Sequence, residues 1–291
     1  MRENISKTLI LGGGGFLGRY FSKILGNTAL VHTRAKLTGI SNSVEVDIQT
    51  EGDIYKLLTE FEICKVINCM AMTNIEECET NPELAKWVNA EIPAIVAKYT
   101  SAHTIQNVFI STDAVLESKS ILRTEEAPTF GGSVYSRTKL KGEEVSLMYN
   151  SKSLIARVNF FGSSPKKNSL FEYFYTNLKA GNQVVGYDNI FFTTMYAEDT
   201  ALNCLKLIDG DFTGIFHIVG SERLNKYSFG RIVEKELGLV ELVISQKAEE
   251  NFMRLRSEEL SLDNSKLKAT LGQIPTIYEG INRALVEIES R

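Results

Sequence analysis

Tyr135-Ser136-Arg137-Thr138-Lys139 is the stretch of this chain best suited to proton chemistry. A tyrosine and a lysine four residues apart share one face of a helix. A phenol there can pass a proton, and an ammonium beside it is expected to hold the phenol's pKa down. Thr112 stands 23 residues upstream, within Ser111-Thr112-Asp113 at the end of an apolar run. Its hydroxyl can fix a carbonyl against the phenol. A free tyrosine titrates near pH 10, so donation at neutral pH requires a positioned group; such an acid contributes on the order of 10² to 10⁴ in rate. Tyr-x-x-x-Lys alone is common on surface helices. Thr112 at a strand end and a glycine-rich turn far upstream turn it into a candidate for proton-coupled hydride transfer from a nicotinamide.

Such residues must be positioned by a regular scaffold. Thr8-Leu9-Ile10-Leu11 reads as a buried strand that runs into Gly12-Gly13-Gly14-Gly15, and Phe16 to Leu25 then follows helical spacing. Ala29–His32 and Val44–Val46 read as short strands, Asp53–Phe61 as a helix and Lys65–Cys69 as another buried strand. Pro82–Thr100 is helical in pattern, with Pro93 expected to kink or split it because proline has no backbone donor. Asn107–Ile110 is a strand delivering Ser111 to Asp113, Tyr135–Tyr149 a helix and Ser153–Val158 a strand. This alternation predicts an α/β fold, a doubly wound parallel sheet of Rossmann type, in which ligands sit outside the carboxyl ends of the strands. The expected division is a dinucleotide-binding domain over 1–160, with a returning segment near 190–210. Residues 161–291 are expected to form mainly a smaller α+β substrate lobe.

The glycine turn Gly12-x-x-Gly15-x-x-Gly18 follows a strand and opens a helix, the setting in which backbone can approach a pyrophosphate. Phe16 and Leu17 begin that helix and are expected to border the cofactor. An NAD site normally ends its second strand in an acidic residue for the ribose, whereas Val31-His32-Thr33-Arg34 has none. Arg34 can instead meet a 2′-phosphate, which favours NADP(H) and leaves NAD(H) open. Asp47-Ile48, after the next strand, is placed to line the adenine, and Met70 and Ala71 to border the cofactor.

Hydrophobic residues make up 43% of the 291 and charged residues 23%, with a net charge of −4. That is ordinary for a globular enzyme, gives no general attraction to nucleic acid polymers or acidic membranes, and leaves local anion sites open. Cys64, Cys69, Cys78 and Cys204 form no Cys-x-x-Cys pair, so no metal site is expected. Reduced thiols and the lack of a signal sequence or a long apolar run point to the cytoplasm. His32, His103 and His217 lack ligand spacing and read as structural or surface residues. Glu76-Glu77-Cys78-Glu79 reads as a solvated loop or helix start. Lys166-Lys167 reads as surface charge or as a position near an anionic substrate.

Four stretches together resemble the extended short-chain dehydrogenase/reductases, and within them the dTDP-4-dehydrorhamnose reductases. They are Leu11-Gly12-Gly13-Gly14-Gly15-Phe16-Leu17-Gly18, Val66–Asn74, Phe109–Asp113 and Tyr135–Glu143. The resemblance runs from about residue 7 to 275. It implies Thr112, Tyr135 and Lys139 as a catalytic trio, with Lys139 also meeting the nicotinamide ribose. It also implies a nucleotide-linked 4-keto-6-deoxy sugar as substrate, reduced at C4; a homodimer is a family expectation. Dehydratases of the superfamily carry Asp-Glu after the threonine, where this chain has Asp113-Ala114. Alanine carries no proton, so dehydration is disfavoured. The rhamnose-pathway reductases usually place tyrosine in that slot, and Asn159-Phe160-Phe161-Gly162 lacks their tryptophan. A nucleotide-sugar 4-epimerase remains an alternative, as does a non-catalytic NADP-binding subunit resembling the β subunit of methionine adenosyltransferase.

Overall fold

A computed structural model describes residues 7–35, 42–117 and 120–290. Seven parallel strands form the main sheet. Six are β1 (Lys7–Leu11), β2 (Ala29–Thr33), β3 (Ser43–Glu45), β4 (Ile63–Asn68), β5 (Gln106–Thr112) and β6 (Leu154–Val158). The seventh, Gly214–Ile218, comes from beyond residue 160 and pairs with β6. From that edge the order continues β6, β5, β4, β1, β2, β3, so the winding reverses between β4 and β1. Clefts at such a reversal receive ligands.

The apolar runs form strands because both faces of the sheet are covered. Along β1, Ile10 joins the core on one face, whereas Leu9 and Leu11 join the core on the other. Alternate side chains of a strand point to opposite faces, so a continuous apolar run fits only a sheet buried on both sides. Helix α1 (Phe16–Leu25) leads from β1 to β2, and α2 (Glu51–Glu60) precedes β4. The expected helix over 82–100 is divided. Following α3 (Ile75–Thr80), α4 (Pro82–Lys86) runs into a wider π turn over Trp87–Glu91, and α5 (Ile92–Ala102) resumes it. In the π turn, Ile92 N–H reaches back to Trp87 O. Pro93 cannot donate to Asn89 O, and that carbonyl faces Gly142 of the next helix, α6 (Val134–Tyr149).

A Cβ on Gly142 would stand 2.2 Å from Asn89 O and 2.7 Å from the Phe109 ring, so only glycine lets α6 lie this close. Gly142→Ala is expected to cost about 1–3 kcal/mol by overpacking. Denaturant unfolding measures it, and an unchanged midpoint would mean that α6 has room to shift.

Beyond β6, α7 (Leu170–Lys179) and α8 (Ala197–Asp209) are joined by short strands. Val184–Tyr187 pairs with Val243–Gln246, and Phe191–Thr193 lies between Arg223–Asn225 and Glu259–Leu260. Segments from the end of the chain thus close a small layer around Phe191–Thr193, and α8 packs against α1. No described helix is long and apolar enough to cross a membrane.

Candidate active site

Gly12 turns the chain at the end of β1 with φ +73°. Gly15 N–H closes the turn onto Gly12 O at 2.9 Å. A Cβ on Gly18 would lie 2.5 Å from Gly12 O, so this glycine lets α1 stack directly on the turn. His32, at the end of β2, holds the turn from below. Its Nδ1 accepts from Gly12 N–H at 3.2 Å and its carbonyl from Gly13 N–H at 2.8 Å. Its Nε2–H donates to Val46 O at 2.9 Å, and burial lowers its pKa, so the ring is neutral.

Helix α1 has no side-chain cap and no acid in its first turn, whereas α2, α6 and α7 each carry a capping box. Its first amides are free for an anion, and the glycines provide the approach. Thr33 Oγ1 and Asn68 Nδ2, buried at the ends of β2 and β4, have no hydrogen-bond partner. These features fit a dinucleotide.

Two cavities open at the carboxyl ends of the strands. One, of about 410 Å³, has Arg34, Asp47, Ile48 and Met70 around it, with His32, Gln49, Leu84 and Trp87. The other, of about 700 Å³, runs from Gly14, Gly15, Phe16 and Leu17 past Ala71 to Thr112, Tyr135 and Lys139. The expected site residues are thereby gathered around two adjoining volumes. Gly12 and Gly18 line neither, and contribute through the backbone turn they allow.

Helix α6 is fastened at the end that carries Tyr135. Ser133 and Ser136 cap it reciprocally, and Glu79 Oε1 accepts from Val134 N–H at 2.7 Å. The Glu76–Glu79 run is therefore more than a solvated helix start. Glu79 anchors α6, Glu77 lines the larger cavity and Glu76 pairs with Arg256 at 2.6 Å. Thr112 Oγ1 donates to Asp113 Oδ1 at 3.0 Å, and the Thr112 hydroxyl works against burial in setting the Tyr135 pKa. Asn159 Nδ2 donates to Asp113 Oδ2 at 2.6 Å. Burial raises the Asp113 carboxyl, against the pull of Asn159 and Thr112.

Lys139 is buried and donates from Nζ to Ile110 O at 2.6 Å, with the ammonium 4.0 Å from the centre of the Phe109 ring. Burial draws its pKa down to about 7, against the field of Glu143. Burial pushes Tyr135 the other way, to about 12. The expectation that Lys139 holds the phenol down is thus not met. Loss of water outweighs the nearby ammonium, which is itself engaged by a backbone carbonyl.

The sequence reading missed Cys69, Thr73, Asn74, Asn159 and Asn168 around the larger cavity. The signal for Cys69 and Asn159 was available, since both lie just past strand ends. Of the two lysines left open, Lys166 lines the cavity. No group of three or more metal-ligating side chains occurs among the described residues, and the four cysteines are free.

The sheet, its glycine turn and the Thr112–Tyr135–Lys139 constellation define the class, an NAD(P)-dependent oxidoreductase of the extended short-chain dehydrogenase/reductase type. The chain belongs to the RmlD substrate binding domain family, which it matches over residues 6–290. It is 29% identical to a probable low-salt glycan biosynthesis reductase of Haloferax volcanii, over 81% of this chain and 82% of that one. It is 25% identical to a dTDP-4-dehydrorhamnose reductase of Aggregatibacter actinomycetemcomitans, over 98% and 99%. It is also 25% identical to the β subunit of methionine adenosyltransferase 2 of Xenopus laevis, over 76% and 69%. A crystal structure of dTDP-4-dehydrorhamnose reductase from Bacillus anthracis, in complex with NADP, superposes with a TM-score of 0.86 at 19% identity. It covers 97% of this chain and 99% of that one.

Proposed function

We propose that this chain is an NADPH-dependent reductase of a nucleotide-linked 4-keto-6-deoxy sugar. The observation that carries the reading is one continuous cavity with the phosphate turn at one end and Thr112, Tyr135 and Lys139 at the other. Bound there, NADPH would supply the hydride. Tyr135 donates the proton to the carbonyl oxygen at C4, and Thr112 hydrogen-bonds the same oxygen and fixes its distance from the phenol. Charged Lys139 meets the nicotinamide ribose. Lys166 faces the same volume and suits an anionic substrate. The dTDP-4-dehydrorhamnose reductase and glycan reductase relatives support this substrate class.

Arg34 is exposed beside the smaller cavity, where a 2′-phosphate would meet its guanidinium. Arg34→Ala is expected to raise KM for NADPH about tenfold, the value of a hydrogen bond to a charged group, and to leave KM for NADH alone. Equal effects on the two cofactors would remove Arg34 from this role.

The likeness to the adenosyltransferase β subunit supports a second reading, a cofactor-binding regulatory subunit. Turnover separates the readings. Net conversion of NADPH to NADP⁺, mole for mole with reduced sugar, supports the reductase. An epimerase interconverts sugars without net oxidation. A regulatory subunit binds NADPH, turns nothing over and co-purifies with a synthetase.

A further inference from the structure

The end of β5 is fastened twice to α6. Lys139 Nζ donates to Ile110 O at 2.6 Å, and Ser111 Oγ donates to Glu143 Oε1 at 2.5 Å. Thr112 is the next residue. Glu143 lies one turn after Lys139 on the same helix face. Its far side is held by Arg157, whose Nη2 reaches Oε2 at 2.8 Å and whose Nε reaches Oε1 at 3.0 Å. Arg157 stands opposite Ser111 in the pairing of β5 with β6. Lys139, Glu143 and Arg157 are each no more than 2% exposed. The outer partners of Arg157 are neutral: Glu125 O at 3.3 Å and His217 Nε2 at 3.4 Å. His217 Nδ1–H is in turn spent on Asp263 O at 3.0 Å, and burial holds that ring's pKa near 3.

Removing a carboxylate and a guanidinium from water is costly, and apolar packing of equal volume often serves stability as well. A pair placed directly behind Lys139 and Ser111 calls for another purpose. We infer that Glu143 is a positioning residue, which holds the Ser111–Thr112 end of β5 in place and supplies the carboxylate that keeps Lys139 charged. The inference rests on the proposed roles of Thr112 and Lys139.

The groups facing Lys139 support it. From β5 come an uncharged carbonyl and the Phe109 ring. From the end of β4 comes Cys69, whose thiol burial pushes up to about 12 and so keeps neutral. From α6 come the neutral Tyr135 phenol and Glu143. Asp113, past β5, bears on Tyr135. Arg157, on β6, touches Glu143. Glu143 is thus the principal group opposing the burial of Lys139. Burial brings Lys139 down to about 7, and Glu143, which itself accepts from Arg157 and Ser111, works against it.

The test is a ¹³C-lysine NMR titration of the ligand-free chain, with the Lys139 signal assigned by its loss in Lys139→Met. Glu143→Gln removes the negative charge but can keep the hydrogen bond to Ser111. It is expected to lower the Lys139 midpoint by about one pH unit. Ser111→Ala strips one donor from the carboxylate and is expected to raise the midpoint. The fall in kcat/KM above neutral pH is expected to move in the same directions. A structural role alone would lower the melting temperature and leave the midpoint in place, which overturns the inference. If Glu143→Gln does not fold, Ser111→Ala decides, and an unmoved midpoint overturns the inference in the same way. The titration needs no substrate, so the inference and the reductase reading can fail separately.

Discussion

Tyr135→Phe is expected to lose on the order of 10² to 10⁴ in kcat while retaining NADPH. The ring fills the same volume, so its packing survives. What disappears is the proton donor. NADPH binding is read by quenching of Trp87 fluorescence, since that side chain lines the smaller cavity. Turnover is read by NADPH oxidation. A variant with full turnover would remove Tyr135 as the acid. A variant that loses cofactor binding together with turnover would make the residue a binding group. Lys139 supplies a sign for the pH dependence. Its side chain is charged below about pH 7 and neutral above it, so kcat/KM is expected to fall as pH rises through that value.

The largest effect on stability is expected at Arg157. Arg157→Met leaves Glu143 buried without its cation. Breaking a buried pair by removing one partner costs about 3–5 kcal/mol. In a chain of this size that lowers the melting temperature by on the order of 10 °C. The double variant Arg157→Met with Glu143→Leu removes both charges and is expected to recover most of the loss. Its kcat/KM at neutral pH should stay several-fold below that of the parent chain, because Lys139 has lost its carboxylate and its midpoint falls by about one pH unit. Recovery of stability together with activity would show that the pair serves packing alone.

The constellation was legible because it is written in short spacings. Tyr135 and Lys139 are one helical turn apart, and the phosphate turn is a local run of glycines after an apolar strand. The strands of the buried sheet showed as apolar runs for the same reason. The Glu143–Arg157 pair was not legible as a pair. Its members lie on different elements, and only the pairing of β5 with β6 brings Arg157 beside Ser111. Phe191–Thr193, Arg223–Asn225 and Glu259–Leu260 have two or three residues each, too few to show any periodicity. Pro93 gave the right place for a break after Pro82, but its form, a π turn that leaves Asn89 O facing Gly142, depends on the packing of α6. The pKa of Tyr135 was misjudged from sequence because spacing shows the neighbouring ammonium and hides the loss of water.

In the proposed reaction, hydride passes from NADPH to C4 of a nucleotide-linked 4-keto-6-deoxy sugar. The most direct measurement uses NADPH deuterated at the nicotinamide C4, with dTDP-4-keto-6-deoxy sugars as acceptors and NMR of the sugar product. Deuterium is expected at sugar C4, one equivalent for each NADP⁺ released, and none in Tyr135→Phe on the same time scale. Tight binding of NADPH with no transfer of deuterium to any of these acceptors would contradict it.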